Sequence, residues 1–199
     1  MTLSRRRAIG LIGAGLPLAT AASRLEAEAL PAPAAQQPRV YDQPGLEWVM
    51  DILPFCTAPE SMGGKGGKNG DDQTAADGIR EELWPIVGGT FYGRGIKGTV
   101  VPGGGDFPVV RPDGVEIIDA LYRLRTDDGV QIIIHNMGPR YSENRFRLQP
   151  SFNVPGKKYA WLRESVFVAT LIYPIPPEIP APDFGPNANG RLIQVFRIT

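Results

Sequence analysis

From residue 46 onwards the chain alternates between short runs rich in Val, Ile, Phe, Tyr and Thr and clusters of Gly, Pro, Asp and Asn. Runs of this length bounded by turn-forming residues predict β-strands. The expected strands are Leu46–Leu53, Leu83–Val87, Ile96–Val101, Phe107–Arg111, Val115–Thr126, Val130–Met137, Tyr159–Tyr173 and Leu192–Ile198. No amphipathic helix of useful length is predicted here. Many short strands indicate an all-β sandwich or barrel, and the glycine clusters favour a single antiparallel β-barrel, because closure requires tight bends.

The best-defined unit is a hairpin within residues 117–140, where Asp128-Gly129 is expected to form a two-residue turn. That register places Tyr122 opposite His135 and Asp119 opposite Gly138. Both faces of the hairpin mix apolar and polar side chains, so the pattern does not say which face lines the barrel.

Three consecutive arginines (5–7) precede an apolar run at residues 8–22 that glycines and a proline interrupt. The run is too short for a comfortable membrane span, so no stable membrane anchor is expected. The arginine pair after Ser4 resembles a twin-arginine signal, which predicts recognition by the twin-arginine export machinery and a periplasmic or secreted location. The predicted organisation is an export signal and the start of a linker at residues 1–34, the linker at 35–45, and the barrel domain at 46–199.

Charge and cysteine content narrow the function classes. The whole chain is formally neutral, and residues 35–199 carry a net charge of −2 with no basic stripe, which disfavours nucleic-acid binding. Cys56 is the only cysteine, so no disulfide can form within the chain and the hydrophobic core must stabilise the domain. One histidine and one cysteine provide none of the usual soft metal clusters, so no metal site is expected.

The string GRGIKG at residues 93–98 matches the glycine pattern of dinucleotide-binding loops. That pattern binds a pyrophosphate only where a strand enters and a helix leaves the loop. Here TVV and PGGG follow, which disfavour a helix, so the sequence predicts a bend between strands, a turn at Gly103 to Gly105, and no cofactor.

Several motifs in one order resemble the domain of unknown function 3237 family. They are GGTF from Gly88, PGGGDF (102–107), VRPDG (110–114), LYRLRTDDG (121–129), the spacing of Asn136, Gly138 and Arg140, and YAWL (159–162). The resemblance covers roughly residues 46–199. It implies a small antiparallel barrel similar to allene-oxide-cyclase-like or lipocalin-like barrels, with no general activity assigned. It also links some fungal relatives to the closing of lactone or pyrone rings on polyketides.

The candidate catalytic residues are His135 and Tyr122, which could relay a proton to a carbonyl or hydroxyl group. The alternative is a histidine that is partly buried and simply hydrogen-bonded. Arg140 and Asp119 are expected to place a substrate, with a structural ion pair at the barrel rim as the alternative. Asn136 is a further candidate for substrate binding.

The remaining substrate-binding candidates are Thr90, Trp161, Asp106 and Arg111. Turn chemistry is the alternative for Asp106 and Arg111, core packing for Trp161, and a bend for Thr90. The leading hypothesis is a barrel that binds a small apolar carbonyl or hydroxyl compound, with cofactor-free cyclase, isomerase, lyase or lactone hydrolase chemistry as an extension. The alternatives are a periplasmic binding protein without turnover and a structural barrel filled by side chains. A homo-oligomer is compatible with all three hypotheses.

Overall fold

The structure is a computed structural model that describes residues 41–63, 74–75 and 77–199. The predicted export signal and most of the linker lie outside these residues. Within the described part, no helix combines the length and apolar character that crossing a bilayer requires.

Eight long strands of the described chain close into one antiparallel barrel, which confirms the predicted fold class. The elements are β1 (Leu46–Cys56), β2 (Glu60–Ser61), β3 (Arg80–Gly93), β4 (Ile96–Asp106), β5 (Val109–Val110), β6 (Glu116–Thr126), β7 (Gln131–Ser142), β8 (Arg145–Asn153), a 3₁₀ turn (Ala160–Leu162), β9 (Phe167–Ile172), β10 (Asn189–Gly190) and β11 (Leu192–Ile198). Around the barrel the order is β1, β11, β9, β8, β7, β6, β4 and β3, and pairing of β3 with β1 closes it. Closure leaves the long strands without a free edge.

The GRGIKG string forms the tight β3–β4 hairpin, with Gly95 in the left-handed region at φ +70°. The expected bend between strands is therefore confirmed. The predicted strand Tyr159–Tyr173 is wrong in its first half, where residues 160–162 form the 3₁₀ turn and only residues 167–172 are extended.

The predicted turn at Gly103 to Gly105 is also wrong, because these glycines lie inside β4. There the strand pairing shifts: Val101 pairs with Arg123, but Gly105 pairs with Leu121, so β4 carries two extra residues opposite Tyr122. A Cβ on Gly104 would lie 2.4 Å from the Tyr122 Cβ, so only glycine leaves room there. This bulge brings Asp106 beside Ala120 on the inner face of the sheet.

The β6–β7 hairpin has a three-residue loop, not the expected two-residue turn. The Thr126 amide donates to the Val130 carbonyl, and the Gly129 amide donates to the Thr126 carbonyl. Gly129 itself has φ +87°. Leu121 therefore pairs with His135, and Tyr122 pairs with Ile134. Since side chains alternate along a strand, this one-residue correction separates His135 from Tyr122 by placing them on opposite faces.

The barrel interior is the main core, formed by alternate residues of all eight strands. A second, smaller core lies outside the barrel, where Leu53, Phe55 and Leu192 are covered by apolar side chains of the proline-rich segment 173–191. Phe184 of this segment stacks on Phe55 with ring centroids 4.7 Å apart. The segment is therefore packed against the outside of β1, and its two ends, Tyr173 and Arg191, reach one end of the barrel.

Candidate functional site

One end of the barrel opens into a pocket of about 460 Å³, here called the mouth pocket. It lies where β3, β6, β8 and β11 begin and where β4, β7 and β9 end. Its lining is Pro59, Arg80, Glu82, Trp84, Asp106, Pro108, Glu116, Ile118, Arg140, Glu143, Asn144, Phe146, Leu171, Tyr173 and Arg191. Seven of these fifteen residues are charged, and the aromatic and aliphatic ones, such as Trp84, Phe146 and Tyr173, supply the apolar surface. The volume falls within the range of about 300–1,000 Å³ that is common for small-molecule sites.

Beneath the mouth pocket lies a much smaller cavity of about 10 Å³, here called the floor. It shares Asp106, Ile118, Leu171 and Arg191 with the mouth pocket and adds Cys56, Tyr122 and Asn136, among others. A space of this size holds about one water molecule or one ligand atom.

Two polar side chains at the floor, Tyr122 and Asn136, are buried beside each other. The Asn136 amide lies near enough to the Tyr122 hydroxyl to act on its pKa, but within the described residues neither group makes a hydrogen bond of ordinary geometry, with the other or with any further group. Leaving such a group unpaired costs about 1–3 kcal/mol. Both side chains therefore keep hydrogen-bonding capacity at the floor.

Asp106 stands between the floor and the mouth pocket and is only 5% exposed. Its Oδ1 accepts a hydrogen bond from the Asp119 amide at 3.2 Å. Burial raises the pKa of the Asp106 carboxyl from 3.8 to about 6, although the nearby Arg191 charge opposes the rise. Asp106 can thus gain or lose a proton close to neutral pH.

Arg191 provides a cation in the wall of both cavities. Its guanidinium carbon lies 4.8 Å from the centroid of the Trp84 ring and 5.4 Å from that of Tyr173, within cation–π range. One nitrogen donates to the Asn189 carbonyl at 3.0 Å. No carboxylate of the described chain forms an ion pair with Arg191, so donors remain for a ligand.

Cys56 also borders the floor. Burial raises the pKa of its thiol to about 11, so the thiol is protonated at neutral pH. A thiol held in this form is a poor nucleophile. Burial likewise raises the pKa of the Tyr122 hydroxyl far above its ordinary value, so Tyr122 remains a neutral hydrogen-bond donor.

Arg140 lies at the rim of the mouth pocket, as the sequence suggested, but its partner is Glu116 and not Asp119. The Arg140 Nε donates to Glu116 Oε2 at 2.9 Å, and the guanidinium covers the Phe146 ring at 5.0 Å. A second guanidinium nitrogen donates to the Glu143 carbonyl. Arg140 is thus held in place by protein groups and shapes the rim.

His135 and Asp119 lie together on the outer face of the barrel. His135 Nε2 is 2.6 Å from Asp119 Oδ1, and their side chains are 47% and 44% exposed. Neither residue lines the mouth pocket or the floor. The structure therefore divides the predicted set, because Tyr122 and Asn136 face the interior while His135 and Asp119 face out.

The other three candidates also lie away from both cavities. Thr90 alternates with the buried Phe91 and faces away from the barrel core. Trp161, in the 3₁₀ turn, packs against Phe167 with centroids 6.1 Å apart. Arg111 pairs with Asp113 in the turn after β5, at 2.7 Å.

Sequence reasoning missed Arg191, Trp84 and Tyr173. They stand far apart in the chain and meet only because β3, β9 and β11 reach the same barrel end. For the floor the sequence did hold a signal, because Asn136 is the one polar residue in the inward-facing row of β7 that also contains Ile132 and Ile134.

The model of a family described as protein of unknown function, DUF3237, matches residues 67–145. A UPF0311 protein of Rhodopseudomonas palustris is 32% identical over 110 residues, which is 47% of this chain and 71% of that protein. A UPF0311 protein of Clostridium acetobutylicum is 35% identical over 106 residues, 45% of this chain and 67% of the relative. The chain belongs to the DUF3237 family. The descriptions of the DUF3237 model and of these two relatives name no activity.

Solved structures share the DUF3237 fold. A protein of unknown function from Clostridium acetobutylicum superposes with a TM-score of 0.60 at 26% identity, covering 79% of this chain and 99% of that one. A beta-barrel like protein from Acinetobacter baumannii gives 0.56 at 22% identity, over 80% and 100% of the two chains. An enzyme from Penicillium herquei gives 0.55 at 20% identity, over 82% and 100%. At such low identity the last two likenesses concern the fold alone.

Proposed function

We propose that this barrel binds a small, largely apolar molecule in the mouth pocket, with a carbonyl or hydroxyl oxygen of that molecule seated in the floor. The observation that carries the proposal is the pair of fully buried, unpartnered groups at the floor, the Tyr122 hydroxyl and the Asn136 amide. A single oxygen atom fits the floor, and hydrogen bonds from both side chains would remove the cost of leaving them unpaired.

The walls of the mouth pocket support the same kind of ligand. Trp84, Tyr173 and Phe146 supply apolar ring surface, and the Arg191 guanidinium lies over two of these rings. A flat hydrocarbon body can pack against this surface while its oxygen reaches Tyr122 and Asn136. Core side chains fill the barrel interior below the floor, so the proposed ligand occupies the mouth pocket at the barrel end.

The test compares two probes that share a bicyclic skeleton, the ketone β-tetralone and the hydrocarbon tetralin, by saturation-transfer NMR. We expect β-tetralone to bind about tenfold more tightly or better, because only the ketone can accept hydrogen bonds at the floor. Asn136→Leu and Tyr122→Phe should reduce this preference. His135→Ala, on the outer face, is the matched control and should keep it.

Two results would contradict the proposal. One is the absence of β-tetralone binding to the folded wild-type protein, which would favour a structural barrel. The other is a preference for the ketone that survives in Asn136→Leu and Tyr122→Phe, since the oxygen would then be recognised elsewhere.

We further propose that the chain is exported through the twin-arginine route and acts in the periplasm or outside the cell. The support is the arginine pair at residues 5–6 followed by a short, glycine-rich apolar run. A domain with one cysteine can fold before export without oxidative help.

A further inference from the structure

We propose that the mouth site is catalytic, with Asp106 moving a proton on the carbon next to a ligand carbonyl while Tyr122 and Asn136 hold the oxygen of the resulting enolate. This inference rests on the proposed binding function and adds a reaction class, the enolisation of a ketone or a related carbonyl compound. The observations that carry it are the shared lining of the two cavities and the complementary chemistry of the three side chains.

Asp106 is placed to act as a base. It lines the floor and the mouth pocket together, so it borders both the oxygen position and the ligand body. Its Oδ1 is fixed by the Asp119 amide, and no described residue donates a hydrogen bond to its Oδ2. A fixed carboxylate with one open oxygen beside an apolar wall is a suitable proton acceptor.

The ionisation of Asp106 fits this role. Burial raises the pKa of the carboxyl to about 6, so it is mostly ionised at pH 7 yet basic enough to hold a transferred proton. General bases work best when their pKa lies near the working pH.

The floor supplies the stabilisation of charge. When a carbonyl becomes an enolate, negative charge develops on its oxygen, and donors already in place stabilise that charge without reorganising. Tyr122 is a neutral hydroxyl donor, and the Asn136 amide offers two more hydrogens. Both are fully buried, which strengthens their electrostatic effect.

The step balances without a cofactor. The Asp106 carboxylate takes a proton from the carbon next to the carbonyl, the C–H electron pair forms a C=C bond, and the carbonyl π electrons move to the oxygen. The protonated Asp106 then exchanges its proton with a solvent deuteron and delivers that deuteron to the same carbon, which gives exchange, or passes the proton to a conjugated carbon, which gives isomerisation. Two other groups are set aside, because the Cys56 thiol stays protonated and His135 faces outwards.

The test measures exchange of the C–H hydrogens of β-tetralone for deuterium in buffered heavy water by proton NMR. We expect the wild-type protein to accelerate exchange above the buffer rate, with kcat/KM rising as pH passes through about 6 and then levelling. Asp106→Asn should lower the protein-dependent rate by about 10²–10⁴-fold. Tyr122→Phe and Asn136→Leu should lower it by about 10²-fold, and His135→Ala should leave it unchanged.

Binding measured in the same samples separates the two proposals. If β-tetralone binds but wild-type protein does not exceed the buffer rate, or if Asp106→Asn exchanges as fast as wild type, the catalytic proposal is overturned and the binding function stands. If β-tetralone does not bind, both fall. An exchange rate that does not change as pH passes through about 6 would also overturn the role of Asp106 as the base.

Discussion

At the residue scale, Asp106 lines the candidate site, and the burial of its charge destabilises the folded protein. Its carboxyl is nearly buried, lies beside a single cation and receives one backbone hydrogen bond. The unfolded chain would ionise it near pH 3.8, whereas the folded chain resists ionisation up to about pH 6. The folded state therefore loses stability as pH rises through this window and keeps the loss above it.

Asp106→Asn should make the protein more stable at pH 7.5, by up to about 3 kcal/mol, because a neutral amide avoids the burial of a charge. The Asn Oδ1 can still accept the hydrogen bond from the Asp119 amide. The gain should shrink towards zero at about pH 3 and below, where the wild-type carboxyl is mostly protonated in both states. Urea unfolding of both proteins at the two pH values measures it.

Asp127→Asn serves as the control and should show no such gain, since this carboxylate is 59% exposed and its charge is not among those that act on Asp106. A destabilised Asp106→Asn protein at pH 7.5, or a gain that is the same at both pH values, would show that burial does not govern the ionisation of Asp106.

At the element scale, the strands of the β6–β7 hairpin could be predicted from the sequence, but their register could not. The alternation of apolar residues and the Asp-Asp-Gly segment were enough to predict two strands and the turn between them. The register depended on whether one or two residues preceded Gly129 in the loop, and both loops suit this sequence. That single choice decided whether His135 or Asn136 faced the same way as Tyr122.

The triple glycine of β4 was visible in the sequence, yet its role was not. Glycines predict turns because they tolerate unusual backbone angles, so residues 103–105 were expected to end the strand. In the structure they form a bulge that gives Tyr122 room and places Asp106 on the inner face. Bulges often re-aim side chains next to functional sites.

At the scale of the whole molecule, strand pattern and ordered motifs predicted an antiparallel barrel, and the structure confirms it. The site was harder to predict because it is assembled from strand ends. Trp84 lies in β3, Asp106 ends β4 and Arg191 immediately precedes β11, and only barrel closure brings them together. Local sequence patterns do not encode such long-range proximity.

Export is a property of the whole chain and can be tested by expressing it in a bacterium that has the twin-arginine route. Wild-type protein should appear in the periplasmic or secreted fraction, and replacement of Arg5 and Arg6 by Lys should retain it in the cytoplasm, because the receptor reads the arginine pair. Arg24→Lys, outside the pair, should not change the location. A wild-type chain that stays in the cytoplasm would contradict the proposal.

A crystal structure of the protein with β-tetralone would test the binding site directly. We expect the bicyclic body in the mouth pocket against Trp84 and Tyr173, with its carbonyl oxygen in the floor within about 3 Å of the Tyr122 hydroxyl and the Asn136 amide. A structure in which Tyr122 and Asn136 are satisfied by each other or by other protein groups, with the ketone bound outside the barrel or absent, would contradict it.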